Sequence, residues 1–479
     1  MTGRDETIPA LTPQNETGWQ FVVYGDSCSG VPGAPHEATL AAVNAVVKRL
    51  RPQPQFICFP GDEIRGLTAD VELLREQWDY WFRHEMAWLD QLSIPLYHTT
   101  GNHTTYDAVS ETVFREVLSH LPQNGPDGQR GLSYFVRRDD LLIVFVNTMW
   151  SELGGEGRVE TEWLHQTLAD HANVRYKLVI GHHPVHPVNG FSGDYQRVIE
   201  SKNGQRFWRM LVQHRVLAYV CSHILAFDVQ VHDGVLQILT AGAGTAHRMP
   251  EDVEYLHCVQ AALDANGLRY QVLDTSGEIR EWLSWPLVLP PSESWAEFSP
   301  VDCPISVQDQ TADWPIYACL SIWKITGRCA QSASGAPQTL VCGWNHDQSL
   351  APFWLGLQGS ENRTSALLCH APERSPHLWL GPELTPGDPF ELQVGVHSGM
   401  GPGGLLWRWN DESPWSSLIG ASAWGAERVR RPQFWSVGHG SSGPADRAFR
   451  GENLRVSWHD QILQLQPSRT LRPKSLWRN

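Results

Sequence analysis

The chain has 479 residues, of which 41% are hydrophobic, and its formal net charge is −15. This length exceeds the usual size of a single domain, so we expect two domains. The negative charge argues against binding of extended nucleic acid, because such binding requires many Lys and Arg side chains that contact the phosphates. No run approaches the roughly 20 apolar residues that span a bilayer, so we predict no membrane partner.

The start of the chain, residues 1–6, lacks the apolar stretch of a secretory signal peptide. We therefore expect a cytoplasmic protein. The nine cysteines are scattered, with no C-x-x-C pair, so reduced thiols are the default expectation.

Short apolar runs in the first half predict buried strands, and a polar signature follows each of them. The runs are residues 21–24, 56–59, 95–97, 179–180 and 217–220. The polar signatures are Gly25-Asp26, Gly61-Asp62, Gly101-Asn102-His103, Gly181-His182-His183-Pro184 and Ser222-His223. Helical periodicity over residues 36–50, 71–92, 111–121, 162–169 and 205–215 alternates with these strands, which predicts an α/β domain.

The polar signatures gather carboxylate, amide and imidazole groups at one edge of the predicted sheet. Hard and borderline divalent cations prefer this mixture of oxygen and nitrogen ligands, and a shared carboxylate lets two ions sit together. The sequence therefore predicts a metal site.

At these residues the chain resembles the calcineurin-like metallophosphoesterase family, in motif order over residues 18–288. The resemblance implies a four-layer αββα sandwich that holds divalent ions such as Mn, Zn or Fe and hydrolyses phosphomonoesters or phosphodiesters. It implies that Asp62 bridges two ions. The metal ligands that it carries over to this chain are Asp26, Asp62, Asn102, His182 and His223.

Two positions depart from the family pattern, and both belong to the same ion. Cys28 stands where the family has the His of its D-x-H motif, and Leu225 stands where the family has the last His of GHxH. The first ion would keep only Asp26 and Asp62, whereas the second ion keeps its whole ligand set. Whether one or two ions bind is therefore open.

Several residues are candidates to rebuild the first ion site. Cys28 could bind as a thiolate and would favour a softer ion such as zinc or iron, or it could be a small buried residue. His36, Asp228 and His247 are further candidates, each with an alternative reading as an exposed or hydrogen-bonded residue.

The resemblance implies attack on phosphorus by a metal-activated hydroxide, with His103 as the general acid for the leaving oxygen. In the family an acidic residue follows this His and orients it, but Thr104 occupies that position here. Either Asp107 or a backbone carbonyl must therefore orient His103.

Beyond a Pro- and Ser-containing linker at residues 289–299, the pattern changes to short apolar stretches separated by turn residues. This pattern predicts an all-β domain over residues 300–470. Its last part resembles concanavalin-like or laminin-G-like jelly rolls. Such domains often bind glycans, so a glycan or protein ligand is a candidate partner, although most of the Trp residues there could equally be core.

The sequence is compatible with three functions. The first is a metal-dependent phosphoesterase. The second is a degenerate relative that keeps one metal and acts as a binding or scaffold protein. The third is a glycan- or protein-binding module led by the C-terminal domain. Retention of the second ion's ligands together with His103 favours the first, and loss of two ligands at the first ion site favours the second.

Overall fold

The structure is a computed structural model of the full chain, and it describes the following parts of it. They are residues 7–149 except 16, 157–186, 197–232, 235–244, 255–285, 296–298, 305–306, 319–331, 335–344, 353–359, 362–368, 377–397, 404–409, 418–419, 434–442 and 445–462. His247 and most of the expected linker 289–299 lie outside these residues.

The chain divides into two compact units. The first comprises Met1–Val229 and Gly234–Trp285, and the second comprises Gln230–Asp233 and Pro286–Asn479.

The strands of the first part of the chain form two six-stranded sheets and one two-stranded ribbon. In chain order the strands are β1 (Ile8–Pro9), β2 (Trp19–Val23), β3 (Leu50–Arg51), β4 (Phe56–Phe59), β5 (Leu96–His98), β6 (Tyr134–Arg138), β7 (Leu141–Phe145), β8 (Tyr176–Ile180), β9 (Ala218–Cys221), β10 (Phe227–His232), β11 (Val235–Thr240), β12 (His257–Asp264), β13 (Gly267–Asp274) and β14 (Ile279–Trp285). One sheet has the order β14-β13-β12-β2-β4-β5, and the other has the order β10-β11-β9-β8-β7-β6.

Five α-helices accompany these sheets in the described residues. They are α1 (Pro35–Arg49), α2 (Val71–Tyr80), α3 (Ala108–Val117), α4 (Thr161–Asp170) and α5 (Ser201–Gln213). The carboxylate of Asp70 accepts hydrogen bonds from two amides of the first turn of α2, and Asp107 forms a capping box at the start of α3. These caps satisfy donors that a helix start leaves unpaired.

The prediction of one helix over residues 71–92 was too long. The α-helix ends at Tyr80, and Trp81–Glu85 continue as a π-helical turn that closes at Met86. The carboxylate of Glu85 accepts hydrogen bonds from the Ser29 hydroxyl and, at 2.9 Å, from the Gly30 amide. This long-range contact lies at the end of the π-helical turn, and no local sequence pattern reports it.

The two large sheets pack face to face, with helices on their outer faces. Aromatic rings meet between the sheets: Tyr97 of β5 lies 5.6 Å from Phe145 of β7, and Trp19 of β2 lies 6.0 Å from Tyr176 of β8. On the other side of the second sheet, Phe207 of α5 packs edge-on against Tyr219 of β9 at 5.0 Å. The family-like α/β architecture that the sequence predicts is therefore present.

The topology brings the polar signatures to one edge of the paired sheets. β2, β4 and β5 are parallel neighbours in the first sheet, and β8 and β9 are parallel neighbours in the second. One of the five signatures follows the end of each of these strands, either directly or after a short connection. Because the carboxyl ends of parallel strands meet at one edge, the loops that carry the candidate ligands converge there.

The second part of the chain is all-β in its described residues. Its strands are β15 (Ala296–Phe298), β16 (Ile305–Ser306), β17 (Cys319–Arg328), β18 (Gly335–Trp344), β19 (Phe353–Gly359), β20 (Arg363–Leu368), β21 (His377–Glu383), β22 (Pro389–His397), β23 (Gly404–Trp409), β24 (Leu418–Ile419), β25 (Phe434–Val437) and β26 (Glu452–Ile462). They form a five-stranded sheet, β15-β26-β17-β22-β23, and a seven-stranded sheet, β16-β25-β18-β19-β20-β21-β24, in which the paired strands are antiparallel.

These two sheets share one hydrophobic core. Trp323 and Leu392 from the five-stranded sheet belong to the same buried cluster as Phe353 and Trp435 from the seven-stranded sheet. Trp354 is also buried, at 4% exposure, so none of these three Trp side chains presents a face to a sugar. The concanavalin-like or laminin-G-like assignment and the glycan or protein ligand stay predictions.

Within the described residues, no helix is both long enough and apolar enough to cross a membrane.

Candidate metal centre

The loops of the candidate site contain an unusual number of residues with left-handed backbone. Asp26, Cys28, Asp62 and His223 have φ angles of 62°, 45°, 60° and 70°. Residues other than Gly rarely adopt such angles, and the cost of roughly 1–3 kcal/mol each is characteristic of functional loops held in place by their surroundings. The four outliers fall on candidate ligands, which marks these loops as a candidate functional site.

Three candidate ligand atoms converge on Nε2 of His182. Its Nε2 lies 3.1 Å from Asn102 Oδ1 and 3.2 Å from Asp62 Oδ2. His223 Nδ1 lies 3.1 Å from the same nitrogen. Ligand atoms that share one divalent ion at about 2.1 Å lie about 3 Å from one another, so this spacing suits a common ion.

The tautomer of His182 supports the same reading. Its Nδ1 lies 2.9 Å from the Pro60 carbonyl oxygen, which can only accept, so Nδ1 carries a hydrogen and donates it. In the neutral ring, Nε2 then presents a lone pair to the Asp62 carboxylate. Two electron-rich atoms at 3.2 Å require a proton or a cation between them. A carbonyl partner on the far nitrogen is also the usual support of a metal-binding imidazole.

The electrostatics of this cluster favour positive charge at its centre. Burial opposes protonation of His182, but Asp62 and Asp26 more than compensate and raise its pKa to about 9. Burial likewise opposes ionisation of Asp62, but the His182 and His103 side chains lower its pKa to about 2. The cluster therefore accommodates either a proton on His182 or a divalent ion in its place, and binding of an ion releases that proton.

His223 and Asp26 complete this side of the site. Burial, followed by the neighbouring His183 and His182 rings, lowers the pKa of His223 well below its usual range, so its ring stays neutral and able to ligate. Asp26 Oδ2 accepts a hydrogen bond from the Ser222 hydroxyl and another, at 3.0 Å, from the His223 amide. Burial raises the pKa of Asp26 to about 6, although the His182 ring opposes this shift.

His103 is held by backbone atoms. Its amide donates to Asp62 Oδ1 at 2.8 Å, and its Nδ1 donates to the Arg65 carbonyl at 2.7 Å. Of the two alternatives that the sequence left open, the structure thus contains the backbone carbonyl. Asp107 instead caps α3, and the hydroxyl of Thr104 accepts a hydrogen bond from the Gly101 amide at 3.1 Å.

A family model matches the part of the chain that carries these candidate ligands. Residues 20–227 match the family model described as calcineurin-like phosphoesterase. This segment is a calcineurin-like phosphoesterase domain. The match covers the strands and loops that carry every candidate ligand, and calcineurin-like phosphoesterases use divalent metals.

Solved structures with a similar chain course include the following three proteins. The purple acid phosphatase PPD1 from yellow lupin, Lupinus luteus, aligns at 12% identity with a TM-score of 0.41, over 57% of this chain and 54% of that one. A dimetal phosphatase from Danio rerio aligns at 15% identity with a TM-score of 0.39, over 53% of this chain and 95% of that one. GAP50 of Plasmodium, described as the anchor in the inner membrane complex, aligns at 12% identity with a TM-score of 0.38, over 56% of this chain and 89% of that one.

All three TM-scores lie below 0.5. No protein of curated function matches the chain in sequence.

The first ion position of the phosphoesterase domain differs from the family pattern, as the sequence predicts. Candidate ligand atoms of Cys28, Asp62 and His103 lie within 4.8 Å of one another. Leu225, in place of the last family His, is half-buried and offers no ligand atom. Asp62 thus belongs to both groups of candidate ligands.

Of the other repair candidates, the two that lie in the described residues, His36 and Asp228, do not join either group. The Nδ1 of His36 lies 3.0 Å from the Cys28 carbonyl oxygen, so His36 supports the loop of Cys28. Asp228 is buried in β10 and is not part of the groups of candidate ligands found among the described residues.

Further imidazoles surround the centre without joining the cluster at His182 Nε2. His183 Nδ1 lies 2.9 Å from the Thr148 hydroxyl, and His186 packs edge-on against Trp208. His98 is fully buried with its Nδ1 2.8 Å from Glu63 Oε1. Burial lowers the pKa of His98 to about 3 and raises that of Glu63 well above its usual range, which disfavours both charged forms.

Some supporting groups were missed by reasoning from the sequence. The carbonyls of Pro60 and Arg65 orient two imidazoles, and backbone atoms leave no signal in residue type. Ser222 lies beside His223 in its signature, and this adjacency was the available signal for its contact with Asp26. The aromatic residues Trp78 and Trp81 are buried core side chains with 1% and 0% exposure.

Proposed function

We propose that this protein is a metal-dependent phosphoesterase that hydrolyses a phosphomonoester or phosphodiester. The observation that carries the proposal is the convergence of three candidate ligand atoms on His182 Nε2, at 3.1–3.2 Å, in a calcineurin-like phosphoesterase domain. A carboxylate, an amide oxygen and two imidazoles form a donor set that divalent Mn, Zn or Fe accepts.

Asp62, Asn102, His182 and His223 would hold one ion. Asp26 and Cys28, with Asp62 shared, would contribute to a second position. A bound divalent ion would lower the pKa of water toward neutrality and offset charge on the phosphoryl oxygens. A thiolate at Cys28 would favour zinc or iron over manganese at that position.

His103 would donate a proton to the leaving oxygen. Its Nδ1 is engaged by the Arg65 carbonyl at 2.7 Å, which leaves Nε2 as the atom that exchanges a proton with substrate. The ring is half-buried rather than enclosed, so a substrate can reach it. The contact of its amide with Asp62 ties the position of the acid to that of the shared metal ligand.

The test combines metal analysis with hydrolysis. Metal content is measured by mass spectrometry on the wild type, Asp62→Ala and His223→Ala, and hydrolysis of chromogenic phosphomonoesters and phosphodiesters is assayed with added manganese, zinc or iron. We expect bound metal and turnover in the wild type and loss of both in the two variants. Asp79→Ala, an exposed carboxylate on α2, is the matched control and retains both.

The second candidate function is a degenerate relative that keeps one metal as a binding or scaffold protein. The replacement of two family ligands by Cys28 and Leu225 favours it. One ion or none per chain, with no turnover under any of these conditions, would support this alternative and contradict the proposal. Nearly two ions with turnover would indicate that the first position is rebuilt.

A further inference from the structure

A cavity of about 520 Å³ lies in the phosphoesterase domain beside the candidate metal centre. This volume is within the range of small-molecule binding sites. Its described lining residues are Thr105, Tyr106, Asp107, Ala108, Glu111, Asp127, Gly128, Gln129, Leu132, Asn147 and Met149.

The loop that carries Asn102 and His103 continues directly into this cavity. Thr105 follows His103 by two residues, and its amide and hydroxyl both bind the Gly101 carbonyl at 2.9 Å. On another wall, Asn147 Oδ1 accepts a hydrogen bond from Thr100 at 2.7 Å, directly before the same Gly. A substrate whose leaving oxygen meets His103 therefore has the cavity within reach of its alcohol part.

The cavity wall is acidic. Asp107, Glu111 and Asp127 line it, and no Lys, Arg or His is among its described lining residues. Arg130 forms an ion pair with Asp127 at 2.9 Å, and Arg115 forms one with Glu111 at 3.8 Å. Neither Arg is among the described lining residues of the cavity. A second phosphate or another anion would be repelled here, whereas hydrogen-bond donors would find acceptors.

A buried amide donor adds a second requirement. Gln129 is 4% exposed, and its Nε2 has no hydrogen-bond partner among the described residues. The orientation of the Gln129 side-chain amide follows from the neighbouring Ser133 hydroxyl. This hydroxyl accepts a hydrogen bond from the Asn147 backbone amide at 2.9 Å. It donates its own hydrogen to Gln129 Oε1, also at 2.9 Å, which leaves Nε2 on the other side of the amide. The Nε2 of Gln129 therefore requires an acceptor from elsewhere, because an unpaired buried donor costs about 1–3 kcal/mol.

We propose that this cavity binds the polyhydroxylated alcohol part of the substrate, so that the ester hydrolysed is a sugar or polyol phosphate. Hydroxyl groups both donate and accept, so they can serve the carboxylates of the wall and the Nε2 of Gln129 together. An ammonium group would satisfy the carboxylates but leave Gln129 unpaired. The ring of Tyr106 and the side chain of Met149 provide apolar surface for the C–H face of a sugar.

This inference rests on the proposed phosphoesterase function, so its test separates recognition from turnover. The substrates are a hexose 6-phosphate, phosphoethanolamine and 4-nitrophenyl phosphate, assayed with the metal-loaded full-length protein. The variants are Gln129→Met, which removes the donor at similar volume, and Asp107→Asn, which removes a charge but retains a side chain that caps helices. Gln166→Met, at an exposed position of α4, is the control.

We expect Gln129→Met and Asp107→Asn each to lower kcat/KM for the hexose phosphate about tenfold, because each removes a hydrogen bond to a hydroxyl. In both variants, kcat/KM for 4-nitrophenyl phosphate should change less than about twofold, because the nitrophenyl ring makes neither hydrogen bond. The metal content of the variants should likewise change less than about twofold. Equal losses on both esters, or a preference for phosphoethanolamine over the hexose phosphate, would overturn the inference while the phosphoesterase proposal stands.

A binding measurement covers the case in which no ester is hydrolysed. Calorimetric titration of the hexose phosphate into the wild type and Gln129→Met is then decisive. Binding that weakens about tenfold in Gln129→Met would support the cavity as a polyol site although the phosphoesterase proposal fails. No binding, or binding unaffected by the substitution, would overturn the inference.

Discussion

Two of the imidazoles proposed to act at the candidate centre, those of His182 and His103, are each oriented by a backbone carbonyl. Pro60 orients His182, and Arg65 orients His103. A carbonyl accepts only one tautomer of the ring, so it determines which nitrogen is presented to the metal or to the substrate. The chemistry of these residues thus depends on the loop conformations as much as on the side chains.

The role of His103 can be tested with leaving groups of different basicity. We expect His103→Gln to lower kcat for an alkyl phosphate by about 10²-fold or more, because the departing alkoxide requires a proton. The loss for 4-nitrophenyl phosphate should be much smaller, since its phenolate leaves without protonation. Steady-state kinetics on both esters, with the exposed His84→Gln as control, measures the difference.

The same variant distinguishes general acid catalysis from metal ligation. His103 has a ligand atom within 4.8 Å of those of Cys28 and Asp62. A role as acid leaves metal content unchanged in His103→Gln. A fall in bound metal together with equal losses on both esters would contradict the acid role and indicate that His103 is a ligand.

His257 gives a pH dependence of stability that is independent of the candidate centre. Burial lowers its pKa to about 4, against about 6.5 in an unfolded chain. The unfolded state therefore takes up a proton first as pH falls, and the stabilisation present above pH 6.5 is lost toward pH 4. Between pH 7 and pH 5 this amounts to about 2 kcal/mol.

Urea unfolding of the wild type and His257→Gln at both pH values measures this contribution. The free energy of unfolding should fall by about 2 kcal/mol less in the variant over this interval, because Gln does not titrate. Its absolute stability at pH 7 should be lower, since the ring bonds to the Tyr255 carbonyl and the Thr240 hydroxyl. Equal pH dependence in both proteins would show that His257 is accessible or charged in the folded state.

At the scale of elements, the site is produced by strand ends that turn sharply into loops. The turn after β4 passes through Gly61 and Asp62, both with positive φ. At Gly61 a Cβ atom would lie 2.7 Å from His182 Nδ1 and 2.7 Å from the Thr100 carbonyl oxygen. The absence of a side chain at this position therefore allows the imidazole and a neighbouring loop to approach the strand end.

Gly61→Ala and Gly33→Ala separate this packing effect from backbone strain. Both Gly residues have positive φ, at 94° and 72°, so either substitution costs roughly 1–2 kcal/mol in backbone conformation. Only Gly61→Ala adds a collision, because a Cβ at Gly33 meets nothing within 4 Å. We expect both variants to lose stability, but only Gly61→Ala to lose bound metal and turnover.

Metal analysis and thermal unfolding of the two Gly variants check this expectation. Retention of metal in Gly61→Ala would mean that His182 can shift without loss of its function as a ligand. Loss of metal in Gly33→Ala would mean that strain in the loop before α1 is transmitted to the centre.

The strands and helices of the first unit were largely predictable, because buried parallel strands are short apolar runs and the amphipathic helices repeat with their own period. Residues 56–59 were predicted with the bounds that β4 has. The end of α2 was not predictable, since the apolar pattern continues through Trp81 while the backbone changes to a π-helical turn.

The candidate site was predictable as a set of residue types but not as a geometry. Order and spacing pointed to Asp62, Asn102, His182 and His223. The left-handed backbone of Asp62 and His223, the carbonyl partners and the short distances to His182 Nε2 depend on how five loops meet, and no local pattern encodes such a meeting.

At the scale of the whole molecule, the two units have separate hydrophobic cores. In the second unit, Trp323 stacks on Phe353 at 4.9 Å and lies 5.5 Å from Trp435. In the first unit, Phe56 stacks on Phe21 at 5.0 Å. Two compact units with buried aromatic contacts of their own can unfold in separate transitions, so a single melting temperature need not describe this chain.

This organisation predicts two thermal transitions that respond to different changes. Trp323→Ala should destabilise the second unit by about 3–5 kcal/mol through the cavity it leaves, and Phe56→Ala should do the same to the first unit. Added divalent metal should raise only the transition that Phe56→Ala lowers, because a ligand of the folded state stabilises the unit that binds it. Differential scanning calorimetry of the three proteins, with and without metal, measures these shifts.

The pattern of shifts decides between independent and coupled units. If Trp323→Ala leaves metal content and the metal-responsive transition unchanged, the first unit holds the ion by itself. If both transitions move together in either variant, the units fold as one cooperative body, and the metal then stabilises the second unit through the first. A metal-induced shift confined to the transition that Trp323→Ala lowers would contradict the placement of the ion at His182 and its neighbours.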